Sequence, residues 1–390
     1  MKAYNTQWVV NDAVIKTAQK WFKQGFLTNP QLEEIKKVYT VDYANPNIFL
    51  KIGLFVFTIL AGSFSGSILT LFMVTPFQDN YNMAFIFQSF IMGIAFVFLL
   101  ENFIKSHKLY HSGVDNALIY MAVSAFCTTI FMIFENAHLP TPIFLLLFLP
   151  LYVIATIRYA DAVICTLMYF LSLGIIITTA LEWTWGKTLL PFIVMISSAI
   201  AHYFTLKQYK RQDFLYYETC LNILKTLSLI TFYLGGNYLI VREGNALINN
   251  LSGTVSPQIA FAQIFYFFTL MIPVFYIVWG LRKHDRLILT LGLLTTAFSI
   301  FTYRYYFSVL PLEIALTVGG FLLVLLAGFA INYFKINRKG YTYQPDSDFE
   351  GMNLEALLMS EVIQSKIPQQ GDTFRFGGGD AGGGGAGGEY

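Results

Sequence analysis

Charge is what this sequence lacks most. Only 12% of its 390 residues are Asp, Glu, Lys or Arg, and 56% are hydrophobic. A soluble domain carries about 25% charged residues and must solvate its surface however large its core. So few charges exclude a water-facing surface over most of the chain, and lipid must be the solvent. Cysteine is equally scarce. Cys127, Cys165 and Cys220 stand far apart without a CxxC spacing, which speaks against a disulfide framework or a zinc site and leaves them as small buried apolar residues. The net charge is only +2, too little for a nucleic-acid partner, which needs a concentrated basic surface. GxSxG, HExxH, P-loop and kinase signatures are missing. No catalytic residue, metal site or cofactor is therefore assigned, and an enzyme is the less favoured class. No apolar run lies close to Met1, so a cleavable signal peptide is not expected.

What is present is a series of long apolar runs. A spanning helix needs about 20 mostly apolar residues. Ten stretches meet or approach that length: 49–73, 83–100, 116–134, 141–157, 162–181, 188–205, 221–240, 259–280, 287–303 and 309–334. The fourth and ninth are short, which leaves room for a re-entrant segment. Charge supports the count. Lys105, Lys108, Arg158, Lys207, Lys210, Arg211, Arg282, Lys283 and Arg286 fall in every second loop, whereas the other loops hold only Lys187, Arg242 and Arg304. Short cytoplasmic loops are enriched in Lys and Arg, so both termini are expected in the cytoplasm of a bacterial inner membrane. Trp183, Trp185, Tyr303, Tyr305 and Tyr306 then mark the outer headgroup level.

The expected fold is all-α: a polytopic bundle of about ten transmembrane helices over 49–334, preceded by a cytoplasmic helical hairpin (1–48). A cytoplasmic segment with a short amphipathic helix (335–370) and a disordered Gly-rich tail (371–390) follow. In the hairpin, Val14, Ile15, Ala18, Trp21 and Phe22 recur at helical spacing from Asp12 to Gln24. Gly25 is a stop signal, and Asn29-Pro30 opens a second helix.

The run from Ile15 to Tyr39, followed by the Gly-containing first span, resembles the uncharacterised bacterial membrane-protein family designated domain of unknown function 2157. The resemblance rests on Trp21, Gly25, Phe26, Leu27, Thr28, Gln31, Ile52, Gly53 and Gly62 and covers about the first 70 residues. That family carries no established catalytic residues, so the resemblance implies an architecture and no chemistry. The tail, FGGGDAGGGGAGG, is similar to Gly-rich C-terminal tails of several bacterial membrane proteins.

Polar groups at membrane depth are costly and point to function. Glu313 and Arg304 are candidates for a pair at the outer mouth of a cavity, beside the alternative of an interfacial ion pair. Lys225 and His202 sit near the cytoplasmic ends of their spans, where a lysine stem reaches the interface and a lone histidine is usually hydrogen-bonded structure. Arg158 and Asp161 bracket a tight turn and are candidates for a local pair. His107 and His111 have the i, i+4 spacing of helical metal ligands but are too few for a zinc site. Gly62 and Gly66 form a GxxxG pattern for close helix packing, or part of a small polar stripe along a solute path.

Two readings follow. One is a scaffold or sensor that recruits a cytoplasmic protein through the hairpin or the tail. The other is a facilitative transporter of an apolar or lipid-like solute. The near absence of mid-span charge speaks against an ion-coupled pump.

Overall fold

In lipid a backbone must satisfy its own hydrogen bonds. The computed structural model does so with helices alone among its described residues, which are 2–43, 46–74, 80–251 and 256–306, together with positions 314, 317, 320, 321, 324, 325, 328 and 332. Met1–Phe321 forms one unit and Leu322–Tyr390 a second, of which only four helical positions are described. The expected short helix at 353–365 and the Gly-rich tail lie outside the described residues.

The amino-terminal hairpin is α1 (Thr6–Lys23) and α2 (Asn29–Val38). Helix α1 begins six residues before the expected Asp12, because Asn5 caps it by accepting from the Gln7 amide at 2.9 Å. Gly25 ends it in a left-handed conformation, φ +79°. Thr28, one residue before the expected Asn29, caps α2, and its amide donates to the Gln31 side chain at 2.9 Å. Ala18 and Leu32 are buried.

The spanning elements are α3 (Ile48–Val74), α4 (Tyr81–Ser106), α5 (Val114–Phe134), α6 (Thr141–Leu146), α7 (Leu149–Tyr159), α8 (Ala162–Leu181), α9 (Gly186–Gln208), α10 (Glu218–Gly236), α11 (Tyr238–Ile248), α12 (Ala262–Lys283) and α13 (Arg286–Tyr306). With α6 and α7 taken as one span, eight stretches among the described residues are long and apolar enough to cross a membrane. Pro150 separates α6 from α7, since it has no amide to give the preceding turn. The pair α10–α11, bent by 74°, makes a ninth when its two halves are taken as one broken span. The tenth expected run lies mostly outside the described residues.

That bend is a departure from the sequence reading, which ran 221–240 as one helix and took 241–258 as loop. Gly235 and Gly236 are poor helix formers, and Asn237 restarts the helix by accepting from the Leu239 and Ile240 amides at 3.0 and 3.3 Å. The ninth span, expected to be short, is a full helix from Arg286 to Tyr306.

The first five spans pack around Leu100, Ile119, Ile164 and Cys165, and α8 continues against α9 and α10. A second core holds Met195, Tyr233, Ile272, Tyr276 and Ile288 from α9, α10, α12 and α13. Helices α12 and α13 approach most closely at two glycines. A methyl group on Gly280 would lie 2.6 Å from the Leu289 amide nitrogen, and one on Gly292 would lie 2.9 Å from that of Ile277. At these two, unlike at Gly62 and Gly66, an added methyl group would strike the backbone of the neighbouring helix. Helix α3 is peripheral, with only 6% of its span buried.

Candidate functional site

Two buried carboxylates organise one end of the bundle. Asp115 lies in the first turn of α5 and Asp161 caps α8; the two are 0% and 1% exposed. The dipole of a helix start favours a carboxylate there, and each is surrounded by donors. Asp115 accepts from the Tyr4 hydroxyl at 2.7 Å, the His111 and Ser112 amides at 2.7 and 2.8 Å, and the Ser112 hydroxyl at 3.0 Å. Asp161 accepts from the Val163 and Ile164 amides at 2.9 and 3.0 Å, from Asn116 at 2.8 Å and from the Tyr120 hydroxyl at 3.2 Å.

Tyr4 makes this cluster a latch for the hairpin. Burial first, and Asp115 second, push its phenol well above the usual tyrosine value, so it stays a donor. The stretch of chain around it is tied to the end of α7 and to the α9–α10 connection. The Ala3 amide donates to the Arg158 carbonyl at 2.9 Å, the Tyr216 hydroxyl donates to the same carbonyl at 2.6 Å, and Lys2 pairs with Asp213 at 3.1 Å. Lys2 also lies over the Tyr216 and Tyr217 rings. Tyr4 packs edge-on against Tyr110 and contacts His111, whose imidazole is shifted down chiefly by burial.

From this latch a line of polar contacts runs along α5. The Tyr4 hydroxyl and the His111 backbone amide both donate to Asp115; the His111 ring lies 3.4 Å from the Asn116 side-chain amide, which donates to Asp161, as does the Tyr120 hydroxyl. Tyr120 lines a cavity of about 540 Å³ between α3, α4 and α5. Gly62, Ser63, Gly66, Gln88, Ser124 and Thr128 line it too, and among the described residues no charged one does. Gln88 donates to the Gly66 carbonyl at 3.1 Å and to Thr70 at 2.6 Å. The cavity lies around the middle of α3 and α5, where its hydroxyls and amide can meet a neutral polar group and its walls an apolar body.

The residues singled out from sequence are distributed as follows. Gly62 makes room for the Met121 side chain, since a methyl group there would sit 2.0 Å from its Cε, and Gly66 borders the cavity. Lys225 pairs with Asp285 of the α12–α13 turn. His202 meets Ser228 at 3.1 Å, and Ser228 donates to the Lys225 carbonyl at 2.9 Å, so the structure brings Lys225 and His202 together. The His202 ring stands edge-on to Trp279. Arg304 lies in the last turn of α13, while Glu313 falls outside the described residues. Arg158 bonds Glu101 at 2.6 Å rather than Asp161, because Asp161 is occupied as a helix cap. His107 ends α4 and His111 sits in the following loop with φ +47°, so the two share no helix face. Among the described residues no His, Cys, Asp or Glu cluster is arranged to hold a metal. Cys165 and Cys220 come together, with the Cys165 thiol 3.8 Å from the Cys220 carbonyl.

Sequence reasoning missed Tyr4, Glu101, Asp115, Asn116 and Tyr120. Asp115 and Asp161 did carry a signal, an acidic residue at the start of an apolar run, where helix caps occur. Nothing in the sequence tied Tyr4 to a partner 111 positions away. No protein-family profile matches this multi-pass membrane chain, and neither does any curated protein or solved structure.

Proposed function

We propose that this membrane protein is a scaffold or sensor whose hairpin recruits a cytoplasmic protein and whose spanning part sets the hairpin's state. One observation carries the reading: the line of polar contacts, bridged by His111, that joins the cavity at Tyr120 to the hairpin latch at Tyr4. Two sites become coupled when both bias one two-state element, and the latch is that element here. The loops that gather at the hairpin end are the basic ones, which supports a cytoplasmic placement of that end. The hairpin exposes Trp21 and Phe26 near its tip and Val38 at the far end of α2, apolar side chains suited to a protein partner. The hairpin, its Gly25 turn and the first span that follows it also support membership of the family designated domain of unknown function 2157.

The test compares proteins co-purifying with the full-length chain, with a Trp21→Ala, Phe26→Ala, Val38→Ala triple variant and with Tyr4→Phe. The triple variant is expected to lose its partner. Tyr4→Phe is expected to retain fold and expression while changing the amount captured. An identical partner set in all three would overturn the reading. The second reading, a facilitative path for a lipid-like solute, is favoured by the uncharged cavity between α3, α4 and α5.

A further inference from the structure

A separate apolar slot lies between α8, α9, α10 and the bent-over α11, with a volume of about 290 Å³. Leu173 and Ile177 of α8, Val194 of α9 and Ile240 and Ile248 of α11 form its walls. Gly244 keeps it open, since an added Cβ there would meet nothing within 4 Å, whereas Gly235 lets α9 approach α10, since one there would lie 3.0 Å from Met195. A cavity of about 150 Å³ takes one benzene, so this slot takes roughly a dozen carbon atoms, a stretch of one chain rather than two.

Among the described residues Lys187 is the one charged group that lines it and Asn245 supplies an amide. Lys187 contacts the neutral Asn249 side chain at 3.4 Å, and no described Asp or Glu lines the slot. Exposed Trp183 and Trp185 stand just before it in the chain, the mark of headgroup level. An apolar slot that ends on a cation at the interface is the shape of an acidic amphiphile.

The geometry points to a binding site for a single-chain anionic amphiphile, with its chain between α8, α9 and α11 and its acidic head on Lys187. This site shares no residue with the α3–α5 cavity, and its fate is independent of the hairpin reading.

The experiment uses the full-length protein in a neutral maltoside detergent. It is irradiated with a palmitate analogue carrying a diazirine in its chain, and adducts are mapped by mass spectrometry. Parallel arms use the matching lysophosphatidate and the matching long-chain alcohol. Adducts are expected at Leu173, Ile177, Val194 and Ile240, displaced by unlabelled palmitate. Gly244→Phe, which fills the slot from an open position, and Lys187→Gln, which removes the charge, are each expected to lower labelling about tenfold. Lys187→Gln leaves the packing intact, so the charge arm stands even if Gly244→Phe fails to fold. Labelling by lysophosphatidate instead of palmitate supports the same anion site with a phospholipid head. Equal labelling by the alcohol, or wild-type labelling confined to lipid-facing residues such as Phe57 and Phe64, overturns the proposal.

Discussion

At the residue scale, Asp115 and Tyr4 bear the largest consequence for a single atom. Tyr4→Phe removes one of four donors from a wholly buried carboxylate. Hydrogen bonds to such groups contribute about 1.5–3 kcal/mol, so the latch should loosen while the bundle stays folded. Asp115→Ala does more, since it orphans the Tyr4 hydroxyl and two backbone amides at once. A buried unsatisfied group costs about 1–3 kcal/mol, and the losses at this turn fall together. Hydrogen exchange read over residues 2–11 should accelerate in both variants, further in Asp115→Ala, with a lower Tm in the second. Unchanged exchange in Asp115→Ala would show that the latch does not hold the hairpin. The neighbouring Tyr110, pushed up to about 12 chiefly by burial, keeps its proton throughout the range of such measurements.

At the scale of elements, the break at Asn237 decides where α11 goes. Asn237 is wholly buried, donates to the Tyr233 hydroxyl at 2.8 Å and to Thr302 at 3.0 Å, and caps α11. Tyr233 in turn meets Ser299 at 2.8 Å, and Thr269 accepts from the Tyr238 amide at 2.9 Å. The bend is thus held by hydroxyls from α12 and α13. Asn237→Ala removes the cap and leaves those hydroxyls short of a partner, a loss of about 1–2 kcal/mol for the cap alone. Asn237→Asp keeps the acceptor and should recover part of it. Spin labels at Leu247 and Ile200 would report a broadened distance distribution in the Ala variant; a sharp, unshifted distribution would refute this role for Asn237. The break also shows where sequence legibility ended. Hydropathy reads 221–240 as continuous because Gly235, Gly236 and Asn237 are only three residues in an apolar window. The same three residues are a stop and a start signal when read locally. Pro150 between α6 and α7 was equally visible and equally averaged away. The hairpin fared better, because its stop at Gly25 and its capping residues act within a few positions, and local signals are what a sequence states directly.

At the scale of the whole molecule, the spanning architecture was legible and the candidate site was not. Length and apolarity identify membrane-crossing helices because lipid imposes both. Which polar residue meets which depends on helix contacts between distant segments, and periodicity carries no record of them. The GxxxG pattern at Gly62 and Gly66 marked a real feature of α3, yet its neighbours turned out to be Met121 and a cavity. That cavity supplies a measurement for the transport reading. Reconstituted vesicles carrying NBD-labelled phospholipid should show faster dithionite bleaching of inner-leaflet label with the wild type than with Gly66→Leu, which narrows the cavity wall. Equal rates for wild type, variant and empty vesicles would remove that reading and leave the hairpin reading untouched.

The latch has a further consequence in time. Its residues 2–4 are made long before their partners at Asp115, Arg158, Asp213 and Tyr216. The docking surface is therefore complete only when six spans have been made and the chain has turned toward α10. Until then the hairpin has nowhere to settle, and its seating marks the moment at which the first two-thirds of the membrane part has come together in order.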